Sequence, residues 1–314
     1  MNYKYKLARR LYWSCCILLC LGLTPTAQAC DGGCPVVSSF DNGLFPNYQK
    51  HYIGLRARYS SLLAHNGHDG LTAGQATQES YFGMDIQARF YPHRRVQVLT
   101  YLPYNYNVQT IEGGATEKTL GFGDMTVLGF YNVYNTNFVD SGAHVQHNLL
   151  VGGGLKVPTG DYQVKGNDDV LLSPTLQSGT GAWSFLLSAV YTLRHDKLGL
   201  NASATYQINL ANPLGYKLGN QFQSSIVGFG VWKTKKTTFV PQLGIQLEQL
   251  DYNTNDGYTR QFSGGTQLLA VAGMSLYYQS FQFGVQYQQP IWQKMASGQL
   301  HNAARFTATI NYLF

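Results

Sequence analysis

The segment Ala303-Ala304-Arg305-Phe306-Thr307-Ala308-Thr309-Ile310-Asn311-Tyr312-Leu313-Phe314 ends the chain and decides its fold. The even-numbered positions of this segment are apolar, and most of the odd-numbered positions after Ala303 are polar. This alternation is typical of a transmembrane strand with one face in lipid and the other in a lumen. A last strand that ends on an aromatic residue, here Phe314, is typical of outer-membrane β-barrels. We therefore expect the barrel-assembly machinery to recognise this strand.

The first 29 residues have the organisation of a secretory signal peptide. Four basic residues lie within positions 4–10, an apolar run covers 11–23, and the small residues Ala27 and Ala29 precede a cut after position 29. This order of charge, apolar run and cleavage site predicts export. The apolar run is shorter than the ~20 residues of a spanning helix. A retained anchor and a lipoprotein acylated at Cys30 are the alternatives.

Composition agrees with an exported barrel. The chain has 22 basic and 16 acidic residues, a net charge of +6. Residues 1–29 hold four of the basic residues and no acidic one, so the exported part has a net charge of +2. The charge balance therefore gives no reason to expect nucleic acid as a partner. After the signal peptide no apolar segment is long enough for a helical span.

Two cysteines, Cys30 and Cys34, remain after cleavage and fall in a leader over 30–49 that we expect to lie in the periplasm. In an oxidising compartment the two thiols are suited to a disulfide. Two thiolates four residues apart can also bind a soft ion such as copper, although they supply only half of a four-ligand shell. Both interpretations stay open at this point.

Residues 50–314 predict an all-β domain, a transmembrane antiparallel barrel of about 12 strands. Short and long connections alternate, as periplasmic turns and extracellular loops do, which places both ends of the domain in the periplasm. Val170–Gln177 could form a further strand, but we place it in the third extracellular loop, where an inward fold would constrict the lumen. The predicted strands are 51–63, 81–91, 96–110, 120–134, 145–157, 183–194, 198–210, 219–233, 237–249, 265–278, 281–289 and 302–314.

The alternation also assigns the charged residues to the inside of the barrel, because a charge on the lipid face is expensive. Lysine and arginine outnumber acids there, which favours anionic or polar permeants. Paired charges that fill a narrow barrel are the alternative. Strands 120–134 and 265–278 resist a lipid or lumen assignment. The residues that we expect to line the permeant path are Arg56, Arg58, Asp85, Gln87 and Arg89, with Lys156 and Glu248 also inside.

Catalytic and metal-binding patterns are weak. His147 and Ser188 are the residue types of a hydrolase pair, but nothing local links them and no Gly-x-Ser-x-Gly elbow is present. The segment His65-Asn66-Gly67-His68-Asp69 could bind a metal, but Asn-Gly also has the chemistry of a turn in a solvated loop. We predict a protein that is not an enzyme and holds no cofactor.

Two motifs resemble a known family. Gly121-Phe122-Gly123-Asp124-Met125-Thr126 leads into a strand, and Gly154-Leu155-Lys156-Val157-Pro158-Thr159-Gly160-Asp161 leaves one. Both are similar to elements of the outer-membrane proteins named for the meta-pathway of phenol degradation, and Pro174–Trp183 is similar to that family's next stretch. The motif residues, to which we assign a structural role, are Gly123, Asp124, Pro158, Thr159, Gly160 and Asp161. We expect Gly160 to have a positive φ and Asp161 to cap a turn.

The resemblance implies an outer-membrane transporter of hydrophobic or aromatic compounds. We therefore predict a passive channel for small molecules in the outer membrane of a Gram-negative bacterium, with lipid, the assembly machinery and a small-molecule permeant as partners. The first alternative is a copper-linked protein that uses Cys30 and Cys34. The second is an adhesive or structural barrel whose loops carry the activity.

Overall fold

The computed structural model of the protein describes residues 50–314 except 66–75, 115, 139–143 and 262. The predicted signal peptide and leader lie outside the described residues. No helix in the described ranges has the length and apolarity of a membrane span. The strands are β1 (Tyr52–His65), β2 (Ala76–His93), β3 (Val96–Ile111), β4 (Thr116–Phe122), β5 (Met125–Asn135), β6 (Val145–Val157), β7 (Ser184–His195), β8 (Leu198–Asn209), β9 (Tyr216–Lys217), β10 (Gln221–Gly230), β11 (Trp232–Lys233), β12 (Thr237–Leu250), β13 (Thr254–Asn255), β14 (Tyr258–Thr259), β15 (Gly265–Tyr278), β16 (Phe281–Met295), β17 (Leu300–Asn302) and β18 (Arg305–Leu313).

These strands form a closed antiparallel barrel with twelve membrane-crossing positions, as the sequence predicts. Nine positions are single strands, and three are made of two segments each, namely β4–β5, β10–β11 and β17–β18. The last strand closes the barrel because β18 pairs with both β16 and β1. Its register on β1 runs from Tyr52 opposite Leu313 to Tyr59 opposite Phe306. The barrel therefore has no free edge between its ends.

The inward and outward faces of β1, β2 and β18 follow the predicted alternation. Phe314 and Ile310 point outward and are exposed, whereas Asn311 between them is fully buried inside the barrel. The outer surface is apolar because every second residue of these strands is large and hydrophobic. This is the surface that a barrel presents to lipid, and it places the protein in the bacterial outer membrane.

Short and long connections lie at opposite ends of the barrel. The short turns include Arg94-Arg95 and Asp196-Lys197, and the long connections include 158–183 and 251–264. Two of the long connections are joined to each other, because β9 pairs with β13 and β13 with β14 in a small separate sheet. We refer below to the short-turn end and the long-loop end.

The predicted strand 120–134 resisted assignment because it contains a bulge. Tyr104 pairs with Phe122 and Tyr101 with Thr126, so two residues of β3 lie opposite three residues after β4. Gly123 and Asp124 are both buried, and the inward positions change from odd numbers in β4 to even numbers in β5. One extra residue changes which side chains face the lumen.

Two predicted strands are longer in the structure. The strand predicted over 81–91 begins at Ala76 and ends at His93. The strand predicted over 281–289 continues to Met295, because Pro290 lies where the pairing with β15 shifts between Leu268 and Leu269. Proline is tolerated at such a bulge, since no ladder hydrogen bond is lost there. Val170–Gln177 is not a membrane strand but part of the connection 158–183, as we expect from the loop alternation.

Apolar side chains fill the lumen on the short-turn side. One cluster joins inward residues of β1, β3, β5, β6 and β7, and a second cluster joins β10, β12 and β15; Tyr277 packs against both. The inner face of the predicted strand 265–278 belongs to this region through Val271 and Tyr277. We call this region the apolar constriction, and its buried residues include Tyr52, Leu99, Leu128, Phe130, Leu150, Val190, Val227, Phe229, Val240, Val271 and Leu313.

Candidate functional site: the lumen and the inward loop

Three of the predicted lumen residues form one charged cluster. Arg56 and Asp85 lie directly opposite each other on β1 and β2, and the Arg56 Nε donates to Asp85 Oδ2 over 2.6 Å. Arg58 binds the same carboxylate through Nε at 2.8 Å and Nη2 at 2.7 Å. The Arg56 guanidinium also lies 4.7 Å from the centroid of the Tyr101 ring. Two cations therefore share one buried anion.

Gln87 and Arg89 point inward but lie closer to the short-turn end. The amide of Gln87 donates to Asn311 Oδ1 over 2.7 Å, and the side chain is fully buried. Arg89 stacks over the rings of Tyr52 at 4.6 Å and Tyr91 at 5.5 Å. Their geometry joins neighbouring strands beside the apolar constriction, and their contact with a permeant stays a prediction.

Two further ion pairs and one buried carboxylate lie inside the barrel. Lys156 Nζ lies 3.5 Å from Asp124 Oδ2, and Arg305 Nη1 lies 2.8 Å from Glu248 Oε1. Glu79 lies on β2 nearer the long-loop end and is fully buried. It accepts hydrogen bonds from Gln109 Nε2, over 2.7 Å, and from the Tyr81 hydroxyl. The inside of the barrel thus contains paired charges, as the filled-barrel interpretation predicts, together with the open space described below.

The connection 158–183 folds into the barrel and lies against β3 and β4. Asn105 Nδ2 donates to the carbonyl of Ser178 over 3.0 Å, and Asn107 Nδ2 to that of Leu176 over 2.9 Å. Thr119 Oγ1 donates to the same Leu176 carbonyl. The inward polar side chains of the wall therefore satisfy the loop backbone, which would otherwise lose its contacts with water.

The motif residues hold the two ends of this loop at the bulge. Asp124 Oδ1 accepts from the Gly160 N–H over 3.1 Å, and Oδ2 accepts from the Thr180 N–H over 2.9 Å and from its hydroxyl. Thr159 Oγ1 donates to the Gly123 carbonyl and accepts from the Met125 N–H. Asp124 thereby joins the bulge to both ends of the inward loop.

Gly160 is required for close contact rather than for a left-handed backbone. Its φ is not positive, so the expectation of a positive φ is wrong. A Cβ at Gly160 would lie 2.7 Å from the Gly179 Cα and 2.7 Å from the Phe122 carbonyl oxygen. The Asp161 side chain is exposed. The carboxylate that binds the turn is that of Asp124, which lies opposite this strand exit.

The inward loop divides the space inside the barrel into two cavities. The cavity toward the middle of the barrel, the inner chamber, has a volume of about 160 Å³, and the one toward the long loops, the outer vestibule, about 630 Å³. Pro174, Gln177, Gly179 and Thr180 line both cavities. Residues 174–180 are therefore the partition between them, and Tyr101 and Leu186 of the apolar constriction line the chamber on its other side.

The predicted alternatives have little geometric support in the described residues. His147 lies opposite Leu193 and bonds the Tyr191 hydroxyl, whereas Ser188 is buried inside the barrel and bonds Thr205. The two side chains therefore do not form a catalytic pair. Within the described ranges no group of three His, Cys, Asp or Glu side chains is arranged to hold a metal ion. Cys30, Cys34 and most of the 65–69 cluster lie outside these ranges.

Sequence reasoning missed several lumen residues. Alternation within β10, β12 and β16 assigns glutamines to the inside, and Gln223, Gln246, Gln286 and Gln288 line the inner chamber together with Glu248 and Arg305. The sequence signal that identifies these glutamines as inward residues is the period of two along each strand. The contacts of Asn105, Asn107 and Thr119 with the inward loop had no local signal, because their partners lie 57 to 73 positions away.

Comparison with protein families gives one match. The family model described as "Putative MetA-pathway of phenol degradation" matches residues 72–294, which is more than half of the chain and includes every motif residue named above. No curated protein sequence matches.

Comparison with solved structures gives outer-membrane barrels. An outer-membrane channel from Pseudomonas putida F1 is 15% identical, with a TM-score of 0.62 over 85% of this chain and 96% of that one. The β-domain of the Bordetella autotransporter BrkA is 8% identical, with a TM-score of 0.48 over 84% of this chain and 99% of that one. The monoaromatic hydrocarbon channel CymD is 10% identical, with a TM-score of 0.40 over 91% of this chain and 98% of that one. At these identities the first comparison supports the fold.

Proposed function

This chain belongs to the phenol-degradation family, and on that premise we propose that it is a passive outer-membrane channel for small molecules, without a catalytic cycle. The family description connects its members with the breakdown of a small aromatic compound, which favours aromatic permeants. The observation that carries the proposal is the arrangement of two cavities in series along the barrel, with residues 174–180 between them.

The geometry suits a gated or selective pathway better than a wide pore. A permeant that enters from the long-loop end would meet the vestibule, then the partition, then the inner chamber and finally the apolar constriction. The partition is bound to the wall by side-chain hydrogen bonds, which can break and re-form without loss of the barrel ladder. The residues that we propose to face the permeant are Arg56, Arg58 and Asp85, because these three line the chamber.

An adhesive barrel would use its outer loops and would need no chamber. The buried charges of the chamber are costly to maintain, and a structural barrel could replace them with apolar packing at no loss of stability. Their presence therefore favours transport over adhesion. The copper-linked alternative depends on Cys30 and Cys34 and stays a prediction.

Liposome swelling tests the proposal. The refolded protein is reconstituted into liposomes, which are then diluted into isotonic solutions of neutral sugars of increasing size. We expect swelling that falls as the solute becomes larger, and no swelling with protein-free liposomes. If the protein shows the heat-modifiable gel migration of a folded barrel but gives no swelling with any solute, the proposal is contradicted.

A further inference from the structure

The inner chamber carries a net positive charge. Its lining in the described residues contains four basic side chains and three carboxylates, which leaves one positive charge in excess: Arg56, Arg58, Lys156 and Arg305 against Asp85, Asp124 and Glu248. Glu79 lies nearer the long-loop end of β2 and does not line this chamber. The excess belongs to the cluster in which two arginines share Asp85, because the other two cations each have a carboxylate partner.

Within that cluster Arg58 is the cation that can reach a ligand. It is 21% exposed, whereas Arg56 and Asp85 are almost inaccessible. Arg58 binds Asp85 through Nε and Nη2, and its Nη1 has no hydrogen-bond partner among the described residues. A guanidinium binds a carboxylate well because its donors are planar and permanently charged.

The chamber also contains buried polar atoms that lack partners. Gln223 Oε1, Gln286 Nε2 and Ser178 Oγ are inaccessible and make no hydrogen bond within the part of the chain that the structure describes. All three residues line the chamber. An unpaired buried polar group costs free energy, so such groups point to a partner that is not part of the protein. Together they offer one acceptor, one donor and one hydroxyl.

The size of the chamber limits the ligand to about one ring. Its volume of about 160 Å³ is close to that of the ~150 Å³ engineered cavity that holds benzene in another protein. That cavity is apolar, whereas this chamber combines the inward aromatic rings of Tyr81 and Tyr101 with charged and amide groups. The rings of Tyr59, Phe82 and Phe306 point outward from the same strands. A bare hydrocarbon would leave the charged and amide groups without partners.

We propose that the inner chamber is a binding site for single-ring aromatic carboxylates, whose carboxylate is received by Arg58 and whose ring lies beside the inward rings of Tyr81 and Tyr101. This inference rests on the proposed channel function and names the class of permeant that the channel selects. The vestibule charges Glu117, Asp168 and Arg260 lie toward the long-loop end.

Equilibrium dialysis and reconstituted uptake test this site together. The probes are benzoate, its neutral analogue benzamide, and acetate, which has the charge but no ring, all at about pH 8, where carboxylic acids are ionised. We expect benzoate to bind about tenfold or more tightly than benzamide, the size of effect that a hydrogen bond to a charged group gives. Acetate should bind more weakly than benzoate, because it cannot fill the ring site.

Three variants locate the effect. Arg58→Gln should abolish the preference for benzoate over benzamide, and Arg58→Lys should keep part of it. Lys236→Gln makes the same change of charge in the exposed turn outside the chamber and should behave as the wild type. Arg58→Gln leaves Asp85 paired with Arg56, so we expect it to fold, and heat-modifiable migration checks this. If its folding fails, Gln223→Leu should still lower benzoate binding.

The outcomes separate this inference from the proposed function. If neutral sugars enter liposomes but benzoate does not bind more tightly than benzamide, or if its tighter binding persists in Arg58→Gln, the site is refuted and the channel stands. If no solute enters through a folded barrel, the channel itself is refuted. Equal binding of acetate and benzoate would overturn the aromatic part of the proposal.

Discussion

Asp85 is the residue on which the charged cluster depends. Its carboxylate accepts three hydrogen bonds from two arginines within 2.8 Å, and its side chain is almost inaccessible. Removing the shared anion leaves two buried cations without compensation, whereas removing one cation leaves a neutral pair. The two kinds of substitution should therefore have very different effects on stability.

Asp85→Ala should lower the free energy of unfolding by about 3–5 kcal/mol, the usual cost of breaking a buried ion pair. Arg58→Gln should cost only about 1–2 kcal/mol, since it removes hydrogen bonds to a charge that stays paired. Urea titration of the refolded protein, followed by tryptophan fluorescence, measures both. A loss in Arg58→Gln as large as that in Asp85→Ala would mean that the cluster does not share one anion.

Gly160 is the residue at which the inward loop most closely approaches the barrel wall. Gly160→Ala should destabilise the loop by about 1–3 kcal/mol, because the added methyl group would overlap the backbones of Gly179 and Phe122. Gly129→Ala is the matched control, since its methyl group would meet only the Gly153 carbonyl at 4.0 Å. Limited proteolysis of the folded protein should cut within 158–183 faster in Gly160→Ala than in the wild type, whereas Gly129→Ala should be cut at the wild-type rate. Equal rates would refute the close contact.

At the scale of elements, the period of two along each strand was enough to predict twelve crossings and the inward positions of β1, β2 and β18. It failed at the bulge, because the inserted residue at Gly123-Asp124 reverses the faces of β5 up to Asn132, where a second shift in register follows. It also failed at Pro290, where a strand continues through a proline. The fold of the inward loop could not be predicted, because the residues that hold it come from strands far away in the sequence.

The partition is an element whose position depends on Asp124. Asp124→Ala removes the acceptor for the Gly160 and Thr180 N–H groups and for the Thr180 hydroxyl. It should speed the swelling of liposomes in neutral sugars several-fold, and neutral solutes avoid any effect of the altered charge. Thr180→Val removes only the hydroxyl bond and should give an intermediate rate. An unchanged or slower rate in Asp124→Ala would show that residues 174–180 do not limit passage.

For the whole molecule, we expect the closing strand to act in assembly as well as in the folded barrel. Phe314 lies at the barrel rim, where its ring stacks on His51 at 5.6 Å, and it is mostly exposed to the surroundings. The residue therefore contributes little to the core of the finished barrel. Removing Phe314 should therefore affect assembly in the cell much more than it affects the stability of the folded barrel.

Deleting Phe314 should strongly reduce the amount of folded, heat-modifiable protein in the outer-membrane fraction of cells, yet leave refolding into detergent and the urea midpoint nearly unchanged. Phe283→Ala, a change on an equally outward position of β16, should reduce neither. Normal assembly of the deletion variant would refute the role of the last residue as a recognition signal.

Single-channel recording in a planar bilayer measures whether the barrel conducts small molecules through its chamber, as we propose. The refolded wild type should give discrete openings of small conductance, limited by the partition and the apolar constriction, and Asp124→Ala should give larger or longer ones. Benzoate should reduce the wild-type current in a saturable way. A folded protein that stays electrically silent in both forms would contradict the channel and favour an adhesive or structural barrel.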